Sequence, residues 1–548
     1  MNPYSYQVQK KVTSSHGAVV SAHPLASQVG VKVLREGGNA IDAAIATQLA
    51  LAVVYPGAGN IGGGGFLVAR MNTGKSLAID YREKAPAAAS RDMYLDKEGN
   101  PVMELSQFGH LSAGVPGTVA GLFASMKFAN LSFDKLIQPA IDLAADGFSI
   151  TAAEAQSLNH SQDDFRKYNR ATTAFIKEGG WKEGDTLIQN DLAETLRRIR
   201  DQGQAGFYEG KTAELIVAEM KSAGGIISLE DLRNYEAKER NPVEFEYKGY
   251  KIISMPLPSS GGIILRQCLK MVEKRNLNDM KFQSPQAVQL MIEVERRAFE
   301  DRAEFMGDAD FVKVPLNVLT SDAYLKERMK NFIPDKAGSS SKAYQKRMLA
   351  ESEETTHLSI ADQWGNVVAV TTTLNGNYGS KTVVAGAGFL LNNEMDDFSV
   401  KPGVPNMYGA LGTEANAIAP GKRMLSSMTP TIVMKDTIPF LVVGTPGGTT
   451  IPTSVFQTIV NIIDFGLSPA DAVNQPKFHH QWMPDEVFVE KDFPAAVADS
   501  LTSMGYNIKQ RGSIGRTELI KIEKKKSGTG YSFESVADKR GDDTAEGY

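Results

Sequence analysis

The chain has 548 residues, 42% of them hydrophobic, enough for a substantial buried core arranged as one large domain or two to four ordinary ones. With 59 basic and 64 acidic side chains, a net charge of −5 and a pI near 5.9, it has no basic excess to suit a nucleic acid or an anionic membrane. A small molecule or peptide is the expected partner. The single cysteine, Cys268, excludes an internal disulfide and a cysteine-based metal site, and reads as a lone buried thiol.

In chain order, the opening MNPYSYQVQKKVTSSHGAVVSAHP carries lysines but lacks the apolar stretch of a secretory signal, so the expectation is a cytosolic protein or one whose signal has been removed. Residues 17 to 22 alternate as a strand and lead into helix-period runs from Pro24 to about Arg35 and over 39 to 54. The second run, AIDAAIATQLALAVVYP, contains Asp42, Thr47 and Gln48 and is too short and polar to span a bilayer, so it reads as a core helix. GAGNIGGGG satisfies G-x-G-x-x-G through Gly57, Gly59 and Gly62. It follows a helix and precedes a strand, the reverse of a dinucleotide-binding turn, so close backbone packing is the better reading.

Residues 115 to 330 read as mostly helical, with Leu192, Leu196 and Ile199 and then Ile292, Ala298 and Phe299 at helical spacing, interrupted by one strand candidate over 243 to 255. The segment IPDKAGSSSKAYQKRMLAESEE, 333 to 354, is polar and Ser-rich and reads as a mobile linker. Beyond it come short strands (LSIAD, NVVAVTTTL, TPTIVM, IPFLVVG, LIKIEKK) and a helical stretch near 451 to 465. His479 and His480, adjacent on a strand, would face opposite ways, and no metal site is expected.

SEETTHLSIADQWGNVVAVTTTLN, 352 to 375, has the pattern of a hairpin. A turn over 362 to 366 centred on Trp364 sets Thr355 opposite Thr373, on one face with His357 and Ser359, while Leu358 and Ile360 face the other layer. Threonine is an ordinary strand residue, and paired threonines often only hydrogen-bond to each other. The acidic linker ending at Glu354 changes the weighting. Cleavage of Glu354-Thr355 would create an α-amine, with a reference pKa of about 7.7 to 8.0, beside the Thr355 hydroxyl, supplying a nucleophile with its own base.

THLSIADQWGNVVAVTTTLN, LLNNEMDDFS, KPGVPNMYG, KRMLSSMTPTIV and GTPGGTT resemble the small-subunit half of the γ-glutamyltranspeptidases, members of the N-terminal nucleophile hydrolases; AVVSAHPLAS, GGNAIDAAIA, GNIGGGGF, DYREKAP and FYEG match the first half in order. The resemblance implies an α+β fold, a four-layer αββα sandwich formed jointly by a large subunit, 1 to 354, and a small catalytic subunit, 355 to 548, cut from one precursor. It further implies that Thr355 is the nucleophile, held by Thr373, and that the Gly447 and Gly448 amides stabilise the oxyanion. Arg82 would anchor the donor's α-carboxylate with Ser426 and Ser427, Glu394 and Asp397 would accept its α-ammonium with help from Asn375, and Tyr408 would gate a lid.

A donor with a carboxylate and an ammonium at one end and a reactive amide at the other is a γ-glutamyl compound such as glutathione, with water, an amino acid or a dipeptide as acceptor. No cofactor is implied. The family also suggests a periplasmic or extracellular location. Two alternatives stand beside this reading: a related acylase acting on glutaryl-cephalosporins or poly-γ-glutamate, and an unprocessed, non-catalytic relative that only binds.

Overall fold

The structure, a computed structural model, describes residues 4, 6–340, 355–525, 528 and 530–548. Two seven-stranded sheets stack face to face. The first runs Thr544–Gly547, Gly17–Ser21, Thr355–Asp362, Val367–Thr373, Gly64–Arg70, Ser76–Asp80, Lys238–Arg240. The second runs Lys11–Ser14, Tyr531–Val536, Glu518–Lys524, Ile438–Gly444, Thr431–Lys435, Tyr250–Ser254, Val243–Tyr247. Strands from both sides of residue 354 interleave in each sheet, so neither side could build its sheet alone.

Three apolar layers make the sandwich αββα. Helices Pro24–Arg35 and Ala40–Val54 pack on the first sheet through Val19, Leu358, Ile360 and Val370. Val20, Phe66, Ala369, Ile432, Val442 and Ile520 fill the space between the sheets. Helices Gly261–Glu273, Pro285–Phe305 and Ile451–Ile463 cover the second sheet against Ile252, Val433 and Val443. This layering explains why the central strands are buried on both faces. The apolar and polar alternation seen in the sequence separates two buried environments rather than core from solvent.

The Pro24–Arg35 helix begins with proline in its first turn, where a missing N–H costs nothing, and Ala40–Val54 begins with a capping box between Asn39 and Asp42. The latter is buried along its whole length, as expected of a core helix. Among the described residues no helix is long and apolar enough to cross a membrane.

The glycine run is a packing turn. A Cβ on Gly59 would lie 2.1 Å from the Leu51 carbonyl oxygen, and one on Gly63 2.1 Å from that of Thr373, so only glycine lets the chain pass beneath the end of the hairpin. Two expectations are refined. The strand candidate over 243 to 255 is a hairpin, turning at Lys248 and Gly249, both at positive φ (48° and 79°). The start of the linker is tied down: Ala337 N–H donates to Met504 O (2.8 Å), Gly338 N–H to Glu293 and Ser340 N–H to Asp485 (2.9 Å). The rest of it, 341 to 354, including Glu354, lies outside the described residues.

Candidate active site

The hairpin has the register expected from its turn: Thr355 pairs with Thr373, Thr356 with Thr372 and His357 with Thr371. On the face turned to the second sheet, His357 Nδ1 is 2.8 Å from Thr371 Oγ1 and its Nε2 is 3.1 Å from Ser359 Oγ, which donates to Glu518 O across the sandwich. Burial pulls the His357 imidazole down to about 3, so it is neutral at working pH and serves as a bridge within the core. At the end of the hairpin, Thr373 Oγ1 accepts from the Asn375 N–H (2.8 Å) and Asn60 Nδ2 donates to Thr373 O (2.9 Å).

Thr355 and Thr373 open into a small cavity, ≈ 20 Å³, whose walls include Arg82, Asn375, Glu394, Asp397, Tyr408, Ser426, Ser427 and Gly448. Every residue that the sequence proposes for chemistry or binding is therefore in one place, apart from Gly447, one residue back from the wall, and Glu354.

Arg82 follows the strand Ser76–Asp80, whose last carboxylate accepts the Arg82 backbone N–H at 3.0 Å. Its guanidinium is buried and lies 2.6 Å from Glu394 and 2.5 Å from Asp397, with Glu83 at 3.7 Å. Burial opposes the charge, but these three carboxylates more than offset it and Arg82 is held above the ordinary arginine value. Glu394 and Glu83 are fully buried, and burial pushes both carboxyls up. The anchor expected for the donor's carboxylate and the acceptors expected for its ammonium are thus paired with one another.

Asn375 sits at φ 75°, its Nδ2 donating to Asn393 O (3.0 Å) and its carbonyl accepting from the Tyr408 hydroxyl. The segment carrying Tyr408 is fastened to the acidic turn at two further points: Asn406 Nδ2 donates to Asp397 (2.9 Å) and Met407 N–H to Asp396 (2.9 Å), which also accepts from the hydroxyl of Ser106 on the helix Met103–Gln107 (2.6 Å). Gly448 lies under the Tyr408 ring, where a Cβ would come within 2.7 Å of it. Gly447 and Gly448 adopt φ 133° and 56° and lead through a 3₁₀ turn into the helix Ile451–Ile463. Among the described residues neither of their amides has an acceptor, and both lie at the positive end of that helix.

Sequence reasoning missed Arg302 and Ser260. Arg302, on the helix Pro285–Phe305, also lines the cavity, its Nε donating to Ser260 Oγ at 3.2 Å. Burial and the nearby Arg82 charge, opposed by Asp397, pull Arg302 down to about 10, still protonated at neutral pH. A charged residue in the helical stretch EVERRAFEDRAEF carries no local mark that distinguishes it from its neighbours. Ser106 and Asn406 escaped for the same reason.

A doubly covered β-sandwich with a threonine at the start of a central strand, opening on a polar cavity, defines the N-terminal nucleophile hydrolase class. The solved cephalosporin acylase from Bacillus halodurans has this fold, with a TM-score of 0.86 and 27% identity over 100% of this chain and 98% of that one. The family model for γ-glutamyltranspeptidase matches residues 26–548, and the chain belongs to that family. It is 45% identical to the glutathione hydrolase proenzyme of Escherichia coli (strain K12) over 528 residues, 95% of this chain and 91% of the relative. The solved Helicobacter pylori γ-glutamyltranspeptidase chain is 46% identical, with a TM-score of 0.58, over 62% of this chain and 96% of that one.

Proposed function

We propose that the chain is the precursor of a γ-glutamyltransferase and glutathione hydrolase that cleaves itself between Glu354 and Thr355, leaving large and small subunits, 1 to 354 and 355 to 548, interleaved in one sandwich. The observation that carries this reading is the single cavity in which the Thr355–Thr373 pair meets two guanidiniums, Arg82 and Arg302, and two carboxylates, Glu394 and Asp397. A γ-glutamyl group fits those charges: its ammonium goes to Glu394 and Asp397, its carboxylate to the cationic side with Ser426 and Ser427.

In the reaction, Thr355 Oγ attacks the γ-amide carbonyl while its proton passes to the Thr355 amine. The tetrahedral oxyanion faces the Gly447 and Gly448 amides, donors worth roughly 2.7 to 4 kcal/mol each in comparable sites. Collapse breaks the C–N bond, the proton leaves with the departing amine, and a γ-glutamyl ester remains on Thr355. From glutathione the departing amine is cysteinylglycine. Water then releases glutamate, or the amine of an amino acid or dipeptide takes the glutamyl group, and Thr355 is regenerated. Tyr408, hydrogen-bonded to Asn375, must swing aside for the donor to enter.

The family supports a periplasmic or extracellular site of action. The acidic pair weighs against glutaryl donors, which have no ammonium to offer it. Comparing γ-glutamyl and glutaryl anilides tests the assignment: faster γ-glutamyl release is expected, and faster glutaryl release would make the protein an acylase of the other kind.

A further inference from the structure

The turn that carries the Gly447 and Gly448 amides and the segment that carries Tyr408 share one buried side chain that the reaction above does not use. Gln481 lies just beyond the short strand Phe478–His479, and the two ends of its amide face different partners. Its Oε1 accepts from the Thr449 hydroxyl at 2.6 Å, and its Nε2 donates to Tyr408 O at 3.2 Å and to Met483 O at 3.4 Å. The second neighbour of Oε1 is His479 Nε2, at 2.9 Å. Burial pulls that imidazole down to about 3, so it is neutral, and because Oε1 can only accept, Nε2 carries the ring proton. Two donors at one end and two carbonyls at the other leave the amide a single orientation.

We propose that Gln481 is a positioning residue that couples the oxyanion turn to the closed Tyr408 segment, one end of its amide aligning Gly447 and Gly448 through Thr449 while the other holds the Tyr408 carbonyl. The inference rests on the acyl-transfer reading above, in which those two amides face the oxyanion.

The turn needs a hold from outside. Gly447 and Gly448 sit at φ 133° and 56°, where glycine has most freedom, and Thr450 closes on Gly447 O only from within the turn, through its N–H (3.0 Å) and its hydroxyl (2.8 Å). The Thr449 hydroxyl instead reaches a different segment, and Thr449 lines the cavity with Gly448. The Tyr408 ring bears on the same turn, close enough that a Cβ on Gly448 would come within 2.7 Å of it. Opening of the segment to admit a donor withdraws the Tyr408 carbonyl and leaves Gln481 Nε2 only the longer contact to Met483 O. Closure restores the bond, so the oxyanion donors are set when the donor is covered.

The test measures kcat and KM on γ-glutamyl anilide, together with the melting temperature, for processed wild type and four variants. Thr449→Val is expected to lower kcat by about tenfold or more with KM within about twofold, since deleting an oxyanion donor costs about 10² to 10³ and displacing one costs less. Thr449→Ser keeps the hydroxyl and should recover most of that loss. Gln481→Glu keeps the acceptor and loses the donor, so it should move KM several-fold while holding kcat above that of Thr449→Val. Gln481→Met cuts both links and should show both changes, and combined with Thr449→Val it should lower kcat no further than the slower single variant. A lower melting temperature with kcat and KM unchanged in Gln481→Met would make Gln481 a structural support and overturn the proposal. If Gln481→Met does not mature, the Thr449 pair decides: equal kcat for valine and serine overturns the proposal, and rescue by serine sustains it. The donor reading fails separately, if wild type releases glutaryl faster than γ-glutamyl anilide. The same kcat pattern, read on the glutaryl substrate, then still decides the role of Gln481, because both donors pass through the oxyanion.

Discussion

Two polar clusters share one hairpin face, a few residues apart, and they differ in how fully their groups are satisfied. Around His357 each ring nitrogen has a hydroxyl neighbour, Ser359 reaches a carbonyl of the facing sheet, and the imidazole is neutral. Around Thr355 the groups are ionisable and incompletely matched: Glu83 has no hydrogen bond to either carboxyl oxygen, Arg302 has no carboxylate within ion-pair distance, and the Gly447 and Gly448 amides have no acceptor among the described residues. Buried polar groups in folded proteins are normally satisfied, so the first cluster belongs to the fold and the second is held ready for something that binds.

The largest expected effect breaks the second cluster. Thr355→Ala should abolish both chain cleavage and γ-glutamyl turnover, the latter by at least about a thousandfold, since removing a nucleophile costs up to about 10⁶ in comparable enzymes. Retained hydrolysis would refute Thr355 as the nucleophile.

His357→Leu breaks the first cluster instead. It leaves Thr371 and Ser359 short of a partner and should cost about 1 to 3 kcal/mol of stability in chemical denaturation while leaving kcat/KM within about threefold below the melting range. A selective loss of kcat at unchanged stability would merge the two clusters into one site.

Tyr408→Ala sharpens the boundary of the second cluster. It removes the hydroxyl that closes on Asn375 and the ring over Gly448, and should shift donor KM by several-fold, with unchanged kinetics eliminating the gate.

The smallest effect concerns pH. Burial pushes Asp396, which accepts from the Met407 N–H, up to about 6 from an ordinary 3.8, so between those values the folded chain holds a proton that the unfolded chain has lost. The stability this group contributes is complete below the unfolded value and is lost as pH rises through about 6. The melting-temperature difference between wild type and Asp396→Asn should therefore move against wild type from pH 4 to pH 7. A difference independent of pH would mean that Asp396 does not titrate there.

The hairpin register was legible in the sequence because period-two patterning and a turn centred on Trp364 leave little freedom of pairing. The helices Pro24–Arg35 and Ala40–Val54 were legible because proline and an Asn/Asp capping box mark their starts. The full burial of the strands was not legible, since alternation looks the same whether the second face meets water or another layer. The assignment of Arg82, Ser426 and Glu394 to the site came from family resemblance. Nothing in DYREKAP or LLNNEMDDFS foretells that Arg82 and Glu394, remote in sequence, lie 2.6 Å apart. The tether of residues 333–340 and the place of Arg302 depend in the same way on partners far along the chain, Asp485, Glu293 and Ser260.

The most direct test of the central claim is the intact mass of the purified protein under denaturing conditions. The account predicts two fragments that meet at Glu354-Thr355, with threonine as the new N-terminus. A single chain that survives prolonged incubation would contradict it, leaving Thr355 without its amine and the cavity as a binding site alone.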